Sequence, residues 1–357
     1  MKYYSIDRIW NLHPDYGLII GGRSNGKSHA TAQQWIKNYL KTGAQFVRII
    51  RYLFDMQGKY VANYFDDNLL AWLAKEYNKE IWYDAPYYYI NDIGADKKNK
   101  DIIGYVLALS NEQKYKSNQY DRVTIIDVEE FALMDPTQYL PMESEKFLSL
   151  VSTIVRSRKN VSIWFVGNTI SKYNPYFTLL NINIDKLQLK PGDLKIIQQP
   201  DLGYDESPLV AIEFAEMAYE NMKEIPRVLK VGQNDTATNG LYVIPPDVFS
   251  KDNVQFDKLN KTFIVQIGNC KFKFNIFPCF CYWELCYGKD KALRPDMLVR
   301  TMCYDKGRYF WNVIDKLNKR PDLSEKIPTE MYYDSEETKQ YVYENVIRSW
   351  KYESRSI

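Results

Sequence analysis

Gly21-Gly22-Arg23-Ser24-Asn25-Gly26-Lys27-Ser28 has the spacing Gly-x-x-x-x-Gly-Lys-Ser. The apolar run Leu18-Ile19-Ile20 leads into it, and a helix-like run, His29 to Leu40, leads out. A phosphate loop needs this setting of strand before and helix after. Glycines let backbone N–H groups turn inward around phosphate oxygens, and the helix N-terminus adds partial positive charge. Lys27 supplies a point charge for the β- and γ-phosphates, and the Ser28 hydroxyl can hold Mg²⁺. The plainer alternative is a Gly/Ser turn that happens to precede a lysine. With every fixed position matched, the stretch reads as an ATP site.

The chain around it reads as α/β. Tyr16 to Ile20 is a buried strand, and the helix Lys27–Leu40 runs to a C-terminal cap at Gly43. Gln45 to Tyr52 is a second strand, Leu53 to Tyr60 a loop, and Asp66 to Tyr77 a helix. Ile81 to Leu109 reads as strands or hairpins with a solvated tip at Asp96-Lys97-Lys98-Asn99-Lys100. The strand Val123 to Val128 ends in acids, Glu129-Glu130, with Asp127 two residues earlier on the face of Glu129. Near a phosphate loop, one such acid holds Mg²⁺ and a neighbour orients the attacking water. The preferred assignment gives Glu129 the metal and Glu130 the water. The rival gives Asp127 the metal and Glu129 or Glu130 the water.

A helix over Glu143 to Ser157 ends in Arg156-Ser157-Arg158-Lys159. By themselves these cations read as partners of the helix dipole, with an arginine finger the sharper alternative. The strand Val161 to Val166 ends in Gly167-Asn168-Thr169, where Asn168 stands as either a γ-phosphate sensor or a turn residue. A parallel sheet with helices on both faces follows from this order. Three segments are expected: an ATPase domain over 1–200, a linker over 201–245 containing a helix at Glu213 to Lys223, and a small α+β domain over 246–357. In the last, Thr262 to Ile267, Cys270 to Ile276 and Cys279 to Tyr287 read as antiparallel strands, and Arg308–Leu317 and Glu336–Lys351 as helices.

Composition narrows the function classes. Net charge is 47 − 45 = +2, so any DNA contact comes from local patches or from assembly rather than a broad basic surface. Two histidines, His13 and His29, leave almost no room for histidine-based metal or triad chemistry. Five cysteines, with no Cys-x-x-Cys pair, read as reduced core thiols. No apolar run reaches membrane-spanning length and no signal peptide follows Met1, which points to a cytosolic protein with no membrane contact.

Further short matches then accumulate in order. Lys116-Ser117-Asn118 precedes the paired acids of Glu129-Glu130-Phe131. Thr153-Ile154-Val155-Arg156-Ser157-Arg158 follows them, then Asn168 and Asn174-Pro175-Tyr176-Phe177, with Gln45-Phe46 and Arg51-Tyr52 upstream. Over about residues 5 to 180 this pattern resembles the small, single-chain DNA-packaging ATPases of phi-29-like short-tailed bacteriophages, compact relatives of the large terminase subunit. The resemblance implies a P-loop NTPase core of the ASCE/RecA-like type, ATP and Mg²⁺ as cofactors, and a vestigial RNase-H-like nuclease domain after a linker. It implies Gly21 to Ser28 as the ATP·Mg²⁺ site, Glu129 as the metal acid and Glu130 as the catalytic glutamate. Asn168 becomes the phosphate sensor, Arg156 an arginine acting on a neighbour's nucleotide, and Lys116 a second trans-acting or coupling cation. The implied partners are double-stranded DNA, the portal of an empty procapsid, a structural packaging RNA and further copies in a homopentameric ring, assembled in the cytoplasm of the infected bacterium at the portal vertex. Two departures stand out: a Glu where the family has Asp, with Asp127 in addition, and Ile50 where the family has the first of two paired arginines. Rival readings are a kinase-type P-loop enzyme, a capsid-binding scaffold with an idle nucleotide site, and a nuclease-bearing terminase. The last is disfavoured because Glu284 is the only acid in the expected C-terminal strands.

Overall fold

The computed structural model describes residues 3–23, 25–133, 138–140, 142–168, 174–197, 199, 207–216, 259, 261–267, 270–277, 280–299 and 331–342. The chain divides into two compact units, Met1–Val243 and Ile244–Ile357.

The first unit is built on one mixed sheet. In chain order its strands are β1 (Tyr16–Gly21), β2 (Gln45–Ile50), β3 (Lys79–Asp84), β4 (Tyr87–Asp92), β5 (Asp101–Ala108), β6 (Val123–Glu129), β7 (Ser162–Asn168), β8 (Leu194–Ile197) and β9 (Val210–Phe214). Their order across the sheet is β3-β4-β5-β2-β6-β7-β1-β9-β8. The central strands, β5 to β9 in that order, run parallel. The expected parallel sheet is extended at both edges by antiparallel pairs, β3–β4 and β4–β5 within the stretch read as strands or hairpins and β8–β9 at the other edge. Only Ala85 and Pro86 separate β3 from β4, and so short a link can join only antiparallel neighbours.

Parallel strands with helices on both faces bury every side chain, which is why β1, β2 and β9 read as near-continuous apolar runs. On one face Leu18, Ile20, Val128 and Phe165 pack against the helix α5 (Glu143–Val155) through Phe147, Leu150 and Ile154. On the other, Ile19, Phe46 and Trp164 meet a short N-terminal helix, α1 (Asp7–Trp10), and the helices α2 (Lys27–Thr42) and α4 (Asp67–Tyr77). Gly17 in β1 lets the Trp164 ring lie against the backbone, since a Cβ there would sit 2.5 Å from it. Gly43 caps α2 in the left-handed region, and Asp66 caps α4 by accepting from the Leu69 N–H at 2.8 Å.

Two segments differ from expectation. Leu53 to Tyr60 is not an open loop: a 3₁₀ turn, Leu53–Gln57, and one helical turn, α3 (Lys59–Ala62), are pinned by buried Met56 and Val61. The first unit also does not stop at residue 200. β9 lies inside the stretch read as a linker, pairs with β1 from Tyr16↔Val210 to Ile20↔Phe214, and is buried along its length. Glu213 therefore begins no helix, and residues 217–223 of that expected helix lie outside the described residues. No described helix is long and apolar enough to cross a membrane.

The second unit holds β10 (Lys261–Ile267), β11 (Cys270–Ile276) and β12 (Cys281–Leu285) as the expected antiparallel meander. Two short strands, β13 (Met297–Val299) and β14 (Met331–Tyr333), add in parallel at its edges. Phe272, Phe274 and Trp283 form its core, and a helix, Glu336–Val342, follows. The expected helix at Arg308–Leu317 and residues 343–351 lie outside the described residues. No disulfide joins the described cysteines.

Candidate functional site

The glycine turn joins β1 to α2 at the carboxyl ends of the parallel strands. Gly21 has φ 155° and Gly26 φ 87°, and a Cβ at Gly21 would meet the Ala215 carbonyl at 2.9 Å, so the backbone path there belongs to glycine. Lys27 opens α2 and folds back over the turn. Its Nζ is shared among the carbonyls of Gly21 (3.3 Å) and Gly22 (2.6 Å) and the Oδ1 atoms of Asn25 (3.1 Å) and Asn168 (3.3 Å). Burial pushes the Lys27 ammonium down to about 8, with the Glu129 and Glu130 carboxylates pulling it partly back. Arg23 and Ser28 are exposed, and Ser24 lies outside the described residues.

Three strand tips meet at this lysine. β7 lies between β1 and β6, and its register sets Gly21 beside Asn168 and Val166 beside Glu129. Asn168, Glu129 and Glu130 are thus brought to the Lys27 turn. Glu130 leaves β6 in the left-handed region, φ 51°, held by its own N–H donating to the Val166 carbonyl at 2.8 Å. Such a conformation is uncommon for a residue with a side chain and collects at functional sites.

A cavity of about 800 Å³ opens beside the turn, lined in part by Ser28, Arg48, Asp55, Tyr60, Glu129 and Glu130. Glu129 faces it with one oxygen committed and one not. Oε2 accepts from Arg48 Nη2 at 2.9 Å, while Oε1 is buried with no hydrogen-bond partner. Ser28 and Glu129 bring hard oxygen donors to the lining of one cavity, which fits a divalent cation that completes its shell with phosphate and water. No described group of three or more His, Cys, Asp or Glu could hold a metal by itself.

Asp127 is not part of this cavity. It is fully buried on the Glu129 face of β6, where its Oδ2 accepts from the Tyr64 hydroxyl at 3.0 Å. Burial, and then the nearby Glu129, push its carboxyl well above the usual range against the pull of Arg48. Arg156 and Lys116 are also apart from it. Arg156 ends α5 at φ 51°, exposed, and donates to the Asn118 carbonyl at 2.9 Å. Lys116 is exposed on that same segment. Arg158 ties the segment down through the carbonyls of Asp121, Val123 and Ile154. Since Val123 starts β6 and Glu129 ends it, the Arg158 anchor at Val123 lies roughly 20 Å along the strand from the acids at the Lys27 turn.

Sequence reasoning missed two arginines. Arg48 is buried mid-strand in β2 against Glu129, with its guanidinium 4.2 Å from the Tyr64 ring centroid. Burial by itself would lower its pKa, but Glu129 first, together with Tyr88, Tyr64 and Asp127, outweighs that and holds it above its ordinary value. Arg51 braces the acidic turn, donating to the carbonyls of Glu130 and Phe131 at 3.0 Å each, and pairs with buried Glu143 at 3.0 Å. Glu143 in turn accepts from the Tyr176 hydroxyl at 2.7 Å and the Leu140 N–H at 2.6 Å. A charge inside the run Phe46-Val47-Arg48-Ile49-Ile50 was the available signal, because a buried charge requires a partner.

Comparison with known proteins gives a consistent picture. A family model for the podovirus DNA encapsidation protein (Gp16) matches residues 1–193. The DNA packaging proteins of Bacillus phages PZA and phi29 are each 32% identical over 203 residues, 56% of this chain and 55% of theirs. That of Bacillus phage B103 is 33% identical over 180 residues, half of each. The chain thus spans about half the length of the curated relatives it matches. Among solved structures, the fold is similar to a chain of the bacteriophage phi-29 viral genome packaging motor assembly, with TM-score 0.53 and 20% identity over 99% of this chain and 98% of that one. It is likewise similar to the phi-28 gp11 DNA packaging motor, with TM-score 0.57 and 14% identity over 98% of each. With the family match running over more than half of its residues, the chain belongs to the podovirus DNA encapsidation protein (Gp16) family.

Proposed function

We propose that this chain hydrolyses ATP at the Gly21–Ser28 turn and uses that reaction to move double-stranded viral DNA into a preformed capsid. The observation that carries the reading is the meeting of Lys27 with Asn168, Glu129 and Glu130 at three adjacent strand tips. The order β1-β7-β6 sets the Asn168 strand between the glycine turn and the acids, which supports an ASCE/RecA-like P-loop core. The relatives named as DNA packaging proteins, and the fold likeness to packaging motors, support the direction of the work.

In this reading the N–H groups of the turn and Lys27 hold the phosphates. Ser28 and Glu129 Oε1 would hold Mg²⁺, which when bound neutralises charge on the β- and γ-phosphates. Glu130 orients and polarises the attacking water, and Asn168 senses the γ-phosphate through its contact with Lys27. Arg156 and Lys116, remote from their own chain's turn, serve the nucleotide of a neighbouring copy in a homopentameric ring. Loss of the γ-phosphate removes the partner of that trans arginine and changes how copies pack. Leu53 to Tyr60, with exposed Lys59, is the segment assigned to push on the DNA backbone without regard to sequence. The ring is placed at the portal of the procapsid in the host cytoplasm, with a structural packaging RNA as a further partner. The second unit is assigned as a nuclease-like domain without cleavage chemistry, because Glu284 is the one acid in its described strands.

The test is steady-state ATP turnover by the full chain, with and without duplex DNA. The motor reading expects turnover that rises when DNA is added. Absence of turnover with DNA and procapsids both present would favour a scaffold with an idle nucleotide site.

A further inference from the structure

We infer that Arg48 is a positioning residue for Glu129: it fixes one oxygen of that carboxylate so that the other faces the cavity beside Ser28. This rests on reading the Lys27 turn as a metal–nucleotide site.

β2 is buried on both faces, and an arginine inside it must be compensated. Arg48 is held from several elements at once. Its Nη2 donates to Glu129 Oε2 at 2.9 Å and its Nη1 to the Tyr88 hydroxyl at 3.3 Å. Its guanidinium stacks at 4.2 Å over Tyr64 and reaches 5.9 Å from Tyr60. The ion pair is itself nearly sealed, with 7% of the arginine side chain and 11% of the glutamate side chain exposed. So many contacts leave the guanidinium little freedom to move.

Two acids could have taken this charge. In register Arg48 lies beside Asp127, yet the ion pair goes to Glu129 and Asp127 is occupied by Tyr64. Asp127 Oδ1 is, like Glu129 Oε1, buried without a hydrogen-bond partner, but Asp127 is fully buried and does not line the cavity, so it stands behind the arginine. The outcome at Glu129 is asymmetric: Oε2 is locked, Oε1 is buried without a hydrogen-bond partner, and the residue lines the cavity that Ser28 also lines. A buried polar atom left unsatisfied requires an explanation, and outer partners that orient a metal ligand supply one. A merely neutralising arginine would be served as well by a bidentate pair, which would consume both oxygens.

The experiment measures the Mg²⁺ concentration that gives half-maximal binding of a fluorescent ATP analogue, in wild type, Arg48→Gln and Arg48→Lys. Binding of the same analogue in EDTA and thermal melting are measured in parallel. The expected result for Arg48→Gln is a metal midpoint raised about 10- to 100-fold, with affinity in EDTA nearly unchanged. Arg48→Lys keeps the charge without the planar fork and should fall between the two. Where Arg48→Gln does not fold, Glu129→Gln and the double substitution Arg48→Lys/Glu129→Gln replace it, and the lysine should add no further shift once Glu129 is neutral. A wild-type midpoint in folded Arg48→Gln overturns the inference, as does equal loss with and without metal, or full additivity in the double variant. If wild type binds the analogue and only these outcomes occur, the nucleotide reading survives. If wild type binds no analogue at all, both fall.

Discussion

Glu143→Ala removes the acid that braces the acidic turn at Glu130 from behind. Glu143 is 2% exposed and takes four contacts: Arg51 Nε at 3.0 and 3.3 Å, the Tyr176 hydroxyl at 2.7 Å and the Leu140 N–H at 2.6 Å. Truncation leaves Arg51 half-buried without its carboxylate and the Tyr176 hydroxyl buried without its acceptor. Breaking a buried pair by removing one partner costs about 3–5 kcal/mol. In a unit of this size each kcal/mol moves the melting point by about 2–4 °C, so a drop of roughly 6–20 °C is expected. Tyr176→Phe removes a single hydrogen bond to a charged group and should cost only about 1.5–3 kcal/mol. The assay is thermal melting of both single variants, of Arg51→Ala and of Arg51→Ala/Glu143→Ala. Coupling should appear as a double variant less damaged than the sum of the singles. Turnover should fall with Arg51→Ala even well below its melting point, because Arg51 holds the carbonyls of Glu130 and Phe131. A melting point for Glu143→Ala within 2 °C of wild type, as an order-of-magnitude threshold, or strict additivity in the cycle, would refute this account of the brace.

Lys27→Ala should abolish detectable nucleotide binding while leaving the melting point unchanged or raised, since it deletes a buried cation; equilibrium binding of a labelled ATP analogue checks it. Arg156→Ala subunits mixed with Glu130→Gln subunits should regain part of the turnover that neither has alone, and no regain at any mixing ratio would count against a trans role. Glu213 offers a pH test. Burial raises its carboxyl pKa, against the pull of the Tyr4 hydroxyl 2.7 Å away and of Arg8. A raised folded-state pKa means that the folded chain binds more protons than the unfolded one just above the ordinary carboxylate range. The melting point of wild type relative to Glu213→Gln should therefore decline as pH rises from the ordinary carboxylate value through the raised one, and be flat above it. A relative melting point that rises over this interval would reverse the assignment.

How far the chain could be read without coordinates depended on whether one local cause decided the outcome. The Lys27 turn was legible because each fixed position has its own steric or charge reason. The strand–tip residues Glu129 and Asn168 drew attention only because a phosphate loop precedes them, since acids or an amide ending an apolar strand read equally well as turn residues. β9 was not: Val210–Phe214 is a five-residue apolar run carrying Glu213 just after Pro208, and so short a run cannot be told from a helix start by periodicity. Only its pairing with β1, some 190 residues away, decides it. Arg48 and Glu143 were passed over for the same reason. An arginine in a strand reads as outward-facing and a glutamate in the first turn of a helix reads as a dipole partner, and their real partners stand 81 and 92 residues away. Asp127 drew attention because it shares a face with Glu129, and only burial separates the two.

Glu130→Gln separates nucleotide binding from hydrolysis when ATP turnover and nucleotide affinity are measured on the same preparation. The expected result is wild-type affinity with turnover reduced by at least about a hundredfold. Turnover at the wild-type rate would contradict it.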